Sequence, residues 1–427
     1  MSTATGHVGW GAGSSATVLD GVAPASALAR WARDGRHLPS AAGGPPGSPG
    51  DSSPAGGSPG VDAPGVGFTA RHRELLGALA ASGLRTLRLP LEWARLEPSD
   101  GRRDREAEQA LREVLAAARE LGVDVWGCLV DDTLPGWFAH DERGFADARA
   151  RRYHWARHVE SVGEAFGDLV AGWVPVHEPN RWARRGWLTG RRPPGRAEDT
   201  RGFAAALEGI QLAAVDAARR LRGGGRPVAT SQWVVPLFPA RPDPDSPPPA
   251  EAEAMRDAAD EALFGSWRRL LHEETLIVGH RPPVAVPGAR EAFDLVGFSY
   301  RHGAAVRGDG ALLPYPQDLE PGPDGRVPWS HGLALALHRV AETFPDRPLL
   351  VTGVGLVTDR EDRREGYVRD VVEIVGEARD GGVDLRGLWW EHPFDPPGSG
   401  PATAGLVAAD GTPRPALGPL RDAAGPG

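Results

Sequence analysis

The stretch Trp173–Gly195, WVPVHEPNRWARRGWLTGRRPPG, decides the reading of the chain. A short apolar run, Leu169–Val176, ends in His177–Glu178–Pro179, and the residues after it are rich in Trp, Arg, Gly and Pro, which predicts a loop. A carboxylate closing a buried strand, beside a His and under aromatics, is a candidate proton donor. Desolvation by such neighbours raises a carboxyl pKa, as an acid working near neutral pH requires. The same residues also suit a salt-bridged Glu that merely closes a strand, and the stretch by itself leaves both readings open.

The residues resemble family-1 glycoside hydrolases, the β-glucosidase clan. In that family the fourth barrel strand ends W-x-T-x-N-E-P and a G-Y-x-x-G-x-x-x-P-G loop follows. Here Trp173, Pro175, His177, Glu178 and Pro179 stand at the first set, and Gly186, Trp187, Gly190, Pro194 and Gly195 at the second. The resemblance puts the family's acid/base carboxylate on Glu178 and turns its sugar-holding Asn into His177.

Composition sets the outer bounds. A chain of 427 residues suits a single α/β barrel spanning 1–427 and can bury a large core. The formal charge of −9, with acidic residues scattered, argues against a nucleic-acid surface. No apolar run is long enough to span a membrane, and the first residues, MSTATGHVGWGAGSS, lack the basic and apolar regions of a signal peptide. A cytoplasmic protein is expected. The single cysteine, Cys128, excludes an internal disulfide and a Cys-based metal cluster, and no metal or cofactor is expected. The sequence contains no lysine, which excludes Schiff-base chemistry and the enzymes that hold pyridoxal phosphate through one. Arginine without lysine, with abundant Ala, Gly and Pro, suggests a high-GC genome such as an actinobacterium's.

Periodicity then places the elements. Val8–Ala16 resembles the family's first strand, with Val18 at its sugar-binding Gln. Residues 39–67 collapse to Gly, Pro, Ser and Ala, which predicts a mobile loop. From Phe68 onward, amphipathic helices alternate with short apolar strands. Helices are predicted over Ala70–Ser82, Arg105–Leu121, Ala148–Phe166, Phe203–Arg222, Glu251–His272, Gly332–Thr343 and Arg364–Arg379. Strands are predicted over Leu84–Leu91, Val123–Val130, Leu169–Val176, Arg226–Val235, Ala292–Tyr300, Pro348–Thr352 and Leu385–Trp390, with Pro236–Pro249 as a loop. Eight strand–helix units make a (β/α)8 TIM barrel, whose chemistry sits at the C-terminal strand ends.

The resemblance marks the site residues, and it marks departures. Arg88 matches the arginine that supports the family's catalytic carboxylates, although an Arg bracing the barrel floor reads as well. Glu92 replaces a small residue and can point into the pocket. Asp131 stands at the family's sugar-binding His, with Asp132 beside it. Two such carboxylates could bind hydroxyls, a cation or only water. Tyr300 matches the tyrosine that touches the family's nucleophile. The seventh strand carries the nucleophile in I-T-E-N-G; here Thr352–Gly353–Val354 puts Gly353 at that place. At the eighth strand Trp389 and Trp390 precede Glu391 and His392, two new polar groups, and the family's sugar-gripping Glu is lost. Trp137, Trp187, Trp389 and Trp390 lead us to expect an aromatic pocket for a small-molecule substrate.

Three functions remain open. The barrel could be repurposed, with Glu178 and His177 running acid/base chemistry such as ring closure or opening, elimination or isomerisation on a specialised metabolite. It could be a glycosidase, retaining or inverting, whose second carboxylate has moved to Asp131 or Glu391. It could be a binding protein without catalysis.

Overall fold

The computed structural model describes residues 8–34, 65–243 and 245–425. Eight strands form one parallel sheet: β1 Gly9–Gly13, β2 Thr86–Pro90, β3 Asp124–Val130, β4 Gly172–Val176, β5 Gln232–Trp233, β6 Val296–Ser299, β7 Leu349–Val354 and β8 Leu385–Glu391. Their spatial order is β4-β3-β2-β1-β8-β7-β6-β5. The two ends meet: Trp173 of β4 donates its amide to the Pro227 carbonyl (2.9 Å), and Ala229 donates to the Trp173 carbonyl (2.9 Å). Parallel bridges Trp173–Val228 and Ala229–Leu295 continue the ladder around this seam, so the sheet closes into the expected (β/α)8 barrel.

Helices form at each of the seven stretches where the apolar spacing predicts them, and Arg105–Glu120 shows how capping chemistry sets an end. Asp104 caps Arg105–Glu120 by accepting from the Glu106 and Ala107 amides, and the buried face is Val114, Leu115, Ala117 and Ala118. Strand side chains alternate between the barrel interior and the helical shell. Along β8, Trp389 joins Cys128, Val174, Ala229 and Leu350 in a small apolar cluster of its own, and Trp390 packs into the large surrounding core. Gly11 makes the room: a Cβ there would lie 2.6 Å from Cδ1 of Trp389.

The structure corrects several boundaries. The segment after β4, predicted as a loop, contains the helix Pro179–Trp187 with Pro179 in its first turn. A proline costs nothing there, because that N–H has no helical partner in any case. The predicted helices over 148–166 and 251–272 each contain one wider turn, Arg151–Trp155 and Glu261–Gly265. The proline run after β5 is not all loop. Its Leu237–Pro239 pairs in parallel with Gly303–Val306, which pairs antiparallel with Leu312–Tyr315. The segment 39–67 lies outside the described residues up to 64, and its last residues pack: Val66 is buried and donates its amide to the Val18 carbonyl (2.9 Å). Among the described residues no helix is long and apolar enough to cross a membrane.

Candidate active site

The C-terminal strand ends bring Arg88 of β2, Asp131 beyond β3, His177 and Glu178 beyond β4, Arg301 beyond β6 and Glu391 of β8 into one buried layer. Arg88, with no exposed surface, donates from one terminal nitrogen to Asp131 (2.6 Å) and from the other to Glu391 (2.9 Å). Arg301 donates from Nε to Glu178 (2.5 Å), and its terminal nitrogen lies 3.3 Å from Glu391. Glu178 also accepts from the Ser299 hydroxyl (2.6 Å) and from Arg181 (2.9 Å). The Arg301 guanidinium therefore bridges the two glutamates.

These partners decide the protonation states. Burial pushes the Glu178 carboxyl up, but Arg301 and Arg181 outweigh it and hold it well below the usual range. The raised pKa expected of a proton donor is therefore not found. The expectation counted desolvation and missed both cations. Glu391 follows the same balance: burial is outweighed by Arg88 and Arg301, and it too stays ionised. Asp131 goes the other way. Burial and the nearby Glu391 charge overcome Arg88 and push it up to about 7.

His177 does not share a proton with Glu178. Burial and Arg88 lower its pKa to about 3, so it is neutral, and its Nε2 lies 3.8 Å from Glu178 and from Glu391, too far for a hydrogen bond. Its Nδ1 is fixed instead by the Ser231 hydroxyl (2.7 Å), which continues to Thr352 (2.6 Å). Because the near oxygens of both glutamates lie 3.8 Å from one atom, they are no more than twice that distance apart. This bound reaches the retaining separation of about 5–5.5 Å and only the shorter part of the inverting range of about 6.5–9.5 Å.

Gly353 of β7 faces Glu391. A Cβ at Gly353 would lie 2.5 Å from Glu391 Oε2, and that oxygen is buried without a hydrogen-bond partner. His392 joins at the rim, hydrogen-bonded to Ser14 (3.1 Å) and lowered by burial to about 4. Glu178 and His392 both have left-handed backbones, φ 51° and 57°. Such strain in non-glycine residues concentrates at functional sites.

Other expected site residues lie elsewhere. Tyr300 is fully buried and donates to the Trp329 carbonyl (2.6 Å), away from the layer. Alternation explains this, because Ser299 and Arg301 share the inward face and Tyr300 takes the opposite one. Trp137 packs edge-on against Trp93 and donates to the Glu97 carbonyl on the barrel flank. Trp390 donates to the Ala404 carbonyl, and Trp389 packs in the apolar cluster with Cys128 and Leu350. Trp187 lies against Trp182 beside a cavity of about 60 Å³ that Asp132 and Arg192 also line. Phe145 and Trp182 line that cavity with Trp187, whereas the buried layer at the strand ends is made of charged groups. Glu92 pairs with Arg95 (2.7 Å) outside the layer, and burial pushes it up to about 7. Sequence reasoning missed Arg301, Arg181, Ser231 and Thr352. Arg301 was within reach, two residues beyond Ser299 on the same face.

Asp131 supplies a pH prediction. Its native pKa of about 7 exceeds the unfolded value of about 3.9, so the native state holds the proton more tightly between them. Its contribution to stability falls as pH rises through that window and levels off above it. Urea midpoints measured from pH 4.5 to 8 should fall less steeply in Asp131→Asn than in the wild type. An unchanged slope would show that Asp131 is not the titrating group.

The fold and site define a (β/α)8 barrel with opposed glutamates and bridging arginines at the C-terminal strand ends. No protein-family model matches the chain. It is 25% identical over 422 residues to thermostable beta-glucosidase B of Thermobispora bispora, covering 89% of this chain and 80% of that protein. A beta-glucosidase from Exiguobacterium marinum superposes with a TM-score of 0.79 at 17% identity, covering 98% of each chain. The family-1 β-glucosidase from Thermotoga maritima gives 0.78 at 17% identity, covering 98% of this chain and 97% of that one. The fold is that of the family-1 β-glycosidases, and the chain resembles that family.

Proposed function

We propose that this barrel performs general acid/base chemistry on a small specialised metabolite, by ring closure or opening, elimination or isomerisation, and is not an ordinary retaining β-glucosidase. The observation that carries the reading is Arg301. Retaining hydrolysis needs the anomeric carbon between two carboxylates. Here a guanidinium bonds Glu178 and reaches toward Glu391 across that interval. Gly353, read as the nucleophile position, offers no side chain. Asp131, near 7, is the group suited to exchange protons at neutral pH, and Glu178, ionised while Arg301 and Arg181 hold it, is the second proton-transfer group. His177 holds position through Ser231.

One observation favours a second reading, a glycosidase with a relocated carboxylate. Glu391 Oε2 has no hydrogen-bond partner and fills the space where a Gly353 side chain would begin. A nitrophenyl β-glycoside panel run on the wild type, Glu178→Gln and Glu391→Gln separates the two. We expect no turnover, or barely detectable turnover, from the wild type. Robust turnover abolished in both variants would overturn the first reading and establish the second.

A further inference from the structure

We infer that the substrate carries an anionic group, a carboxylate or a phosphate, which binds Arg301 in exchange for Glu178. The inference rests on the reading of Glu178 as a proton-transfer group, and it adds the chemical class of the substrate and the device that arms that group.

The geometry makes Arg301 the movable member. It stands beyond the end of β6, on the segment between Ser299 and Gly303, and its side chain keeps about a tenth of its exposure, whereas Arg88 keeps none. It uses Nε toward Glu178 and one terminal nitrogen toward Glu391 and His177. A planar guanidinium presents a two-pronged edge that a carboxylate or phosphate matches as well as Glu178 does. An uncharged hexose cannot replace that partner, because taking Glu178 from Arg301 without supplying another anion would leave this buried cation only Glu391 at 3.3 Å, a carboxylate that Arg88 already holds at 2.9 Å.

The exchange has a defined proton balance. Facing Glu178 are Arg301 and Ser299 from the end of β6, Arg181 from the helix after β4, and its neighbour His177; Glu391 of β8 reaches it only through Arg301 and His177. Once a ligand anion holds Arg301, Glu178 keeps Arg181 and Ser299 but loses its strongest charge partner. Burial already pulls this carboxyl toward its neutral form. Glu178 then takes one proton from solvent, and the bound state contains the ligand anion on Arg301 and a neutral carboxylic acid beside it. The substrate thereby makes the acid that attacks it, and water alone leaves the site locked.

Isothermal titration with inorganic phosphate and with benzoate tests this, in two buffers of different ionisation enthalpy at one pH, so that the heat difference counts protons taken up. The two probes also distinguish the phosphate from the carboxylate form of the inference. The wild type should bind at least one of them with net proton uptake. Arg301→Lys keeps the charge and loses the fork, and Arg301→Gln loses both. Each should bind at least about tenfold more weakly, the scale of one charge-assisted hydrogen bond, and Glu178→Gln should bind without proton uptake. Thermal melts check that each variant is folded, and Arg301→Lys serves where Arg301→Gln is not. Undiminished binding in the folded Arg301 variant, binding by the wild type without proton uptake, or no binding of either probe would overturn the inference. In that last case, absent glycoside turnover would leave the acid/base reading standing, so the two failures are told apart.

Discussion

Replacing Arg88 with methionine is expected to destabilise the protein by about 3–5 kcal/mol, the cost of removing one partner from a buried ion pair. Arg88 has no exposed surface and holds Asp131 and Glu391 with its two terminal nitrogens. Asp131, with a pKa of about 7, can take up a proton and become neutral at little cost. Glu391 cannot do so as cheaply. It is held ionised by Arg88 and Arg301, and its second oxygen already lacks a hydrogen-bond partner. Most of the loss therefore falls on Glu391. The double variant Arg88→Met/Glu391→Gln should recover part of it, since removing both charges leaves neither uncompensated. Equilibrium denaturation by urea gives both numbers. A loss below about 1 kcal/mol in the single variant would mean that solvent reaches the layer and screens it.

Glu178→Gln is expected to cost about 10²–10⁴-fold in kcat/KM on whichever substrate the wild type turns over, the usual share of general acid/base catalysis. The side chain keeps its shape and loses its charge, so Ser299 and Arg181 can still orient it. The exchange with Arg301 loses its purpose, because an amide neither takes nor gives the proton. Returning His177 to Asn should also impair turnover, since Nδ1 would no longer tie the strand end to Ser231 and Thr352. Full activity in Glu178→Gln would remove this residue from the mechanism.

The barrel was legible in the sequence because its signal is periodic. Apolar strands of five to seven residues, such as Asp124–Val130 and Leu385–Glu391, alternate with helices whose buried faces recur at helical spacing. The ends of elements were less legible. The helix Pro179–Trp187 hides behind a proline and a run of arginines that read as loop. The site was legible as a set of positions and not as a set of partners. Arg88, Asp131, His177, Glu178 and Glu391 do converge, since the strand ends of a closed barrel must. Their charges depend on which arginines face them. Arg301 and Arg181 reach Glu178 from two different elements, and no spacing in the chain announces that. The placement of the tryptophans was not legible for a related reason. Composition says that aromatics are present, whereas strand alternation decides whether Trp389 and its neighbour Trp390 face the same side, and they do not.

On the proposed reading, the Arg301 guanidinium closes the space between Glu178 and Glu391 to a neutral hexose. Isothermal titration of the wild type with methyl β-glucoside tests it most directly, because binding is read without any assumption about chemistry. No measurable heat of binding is expected. Millimolar or tighter affinity for the glucoside would contradict it.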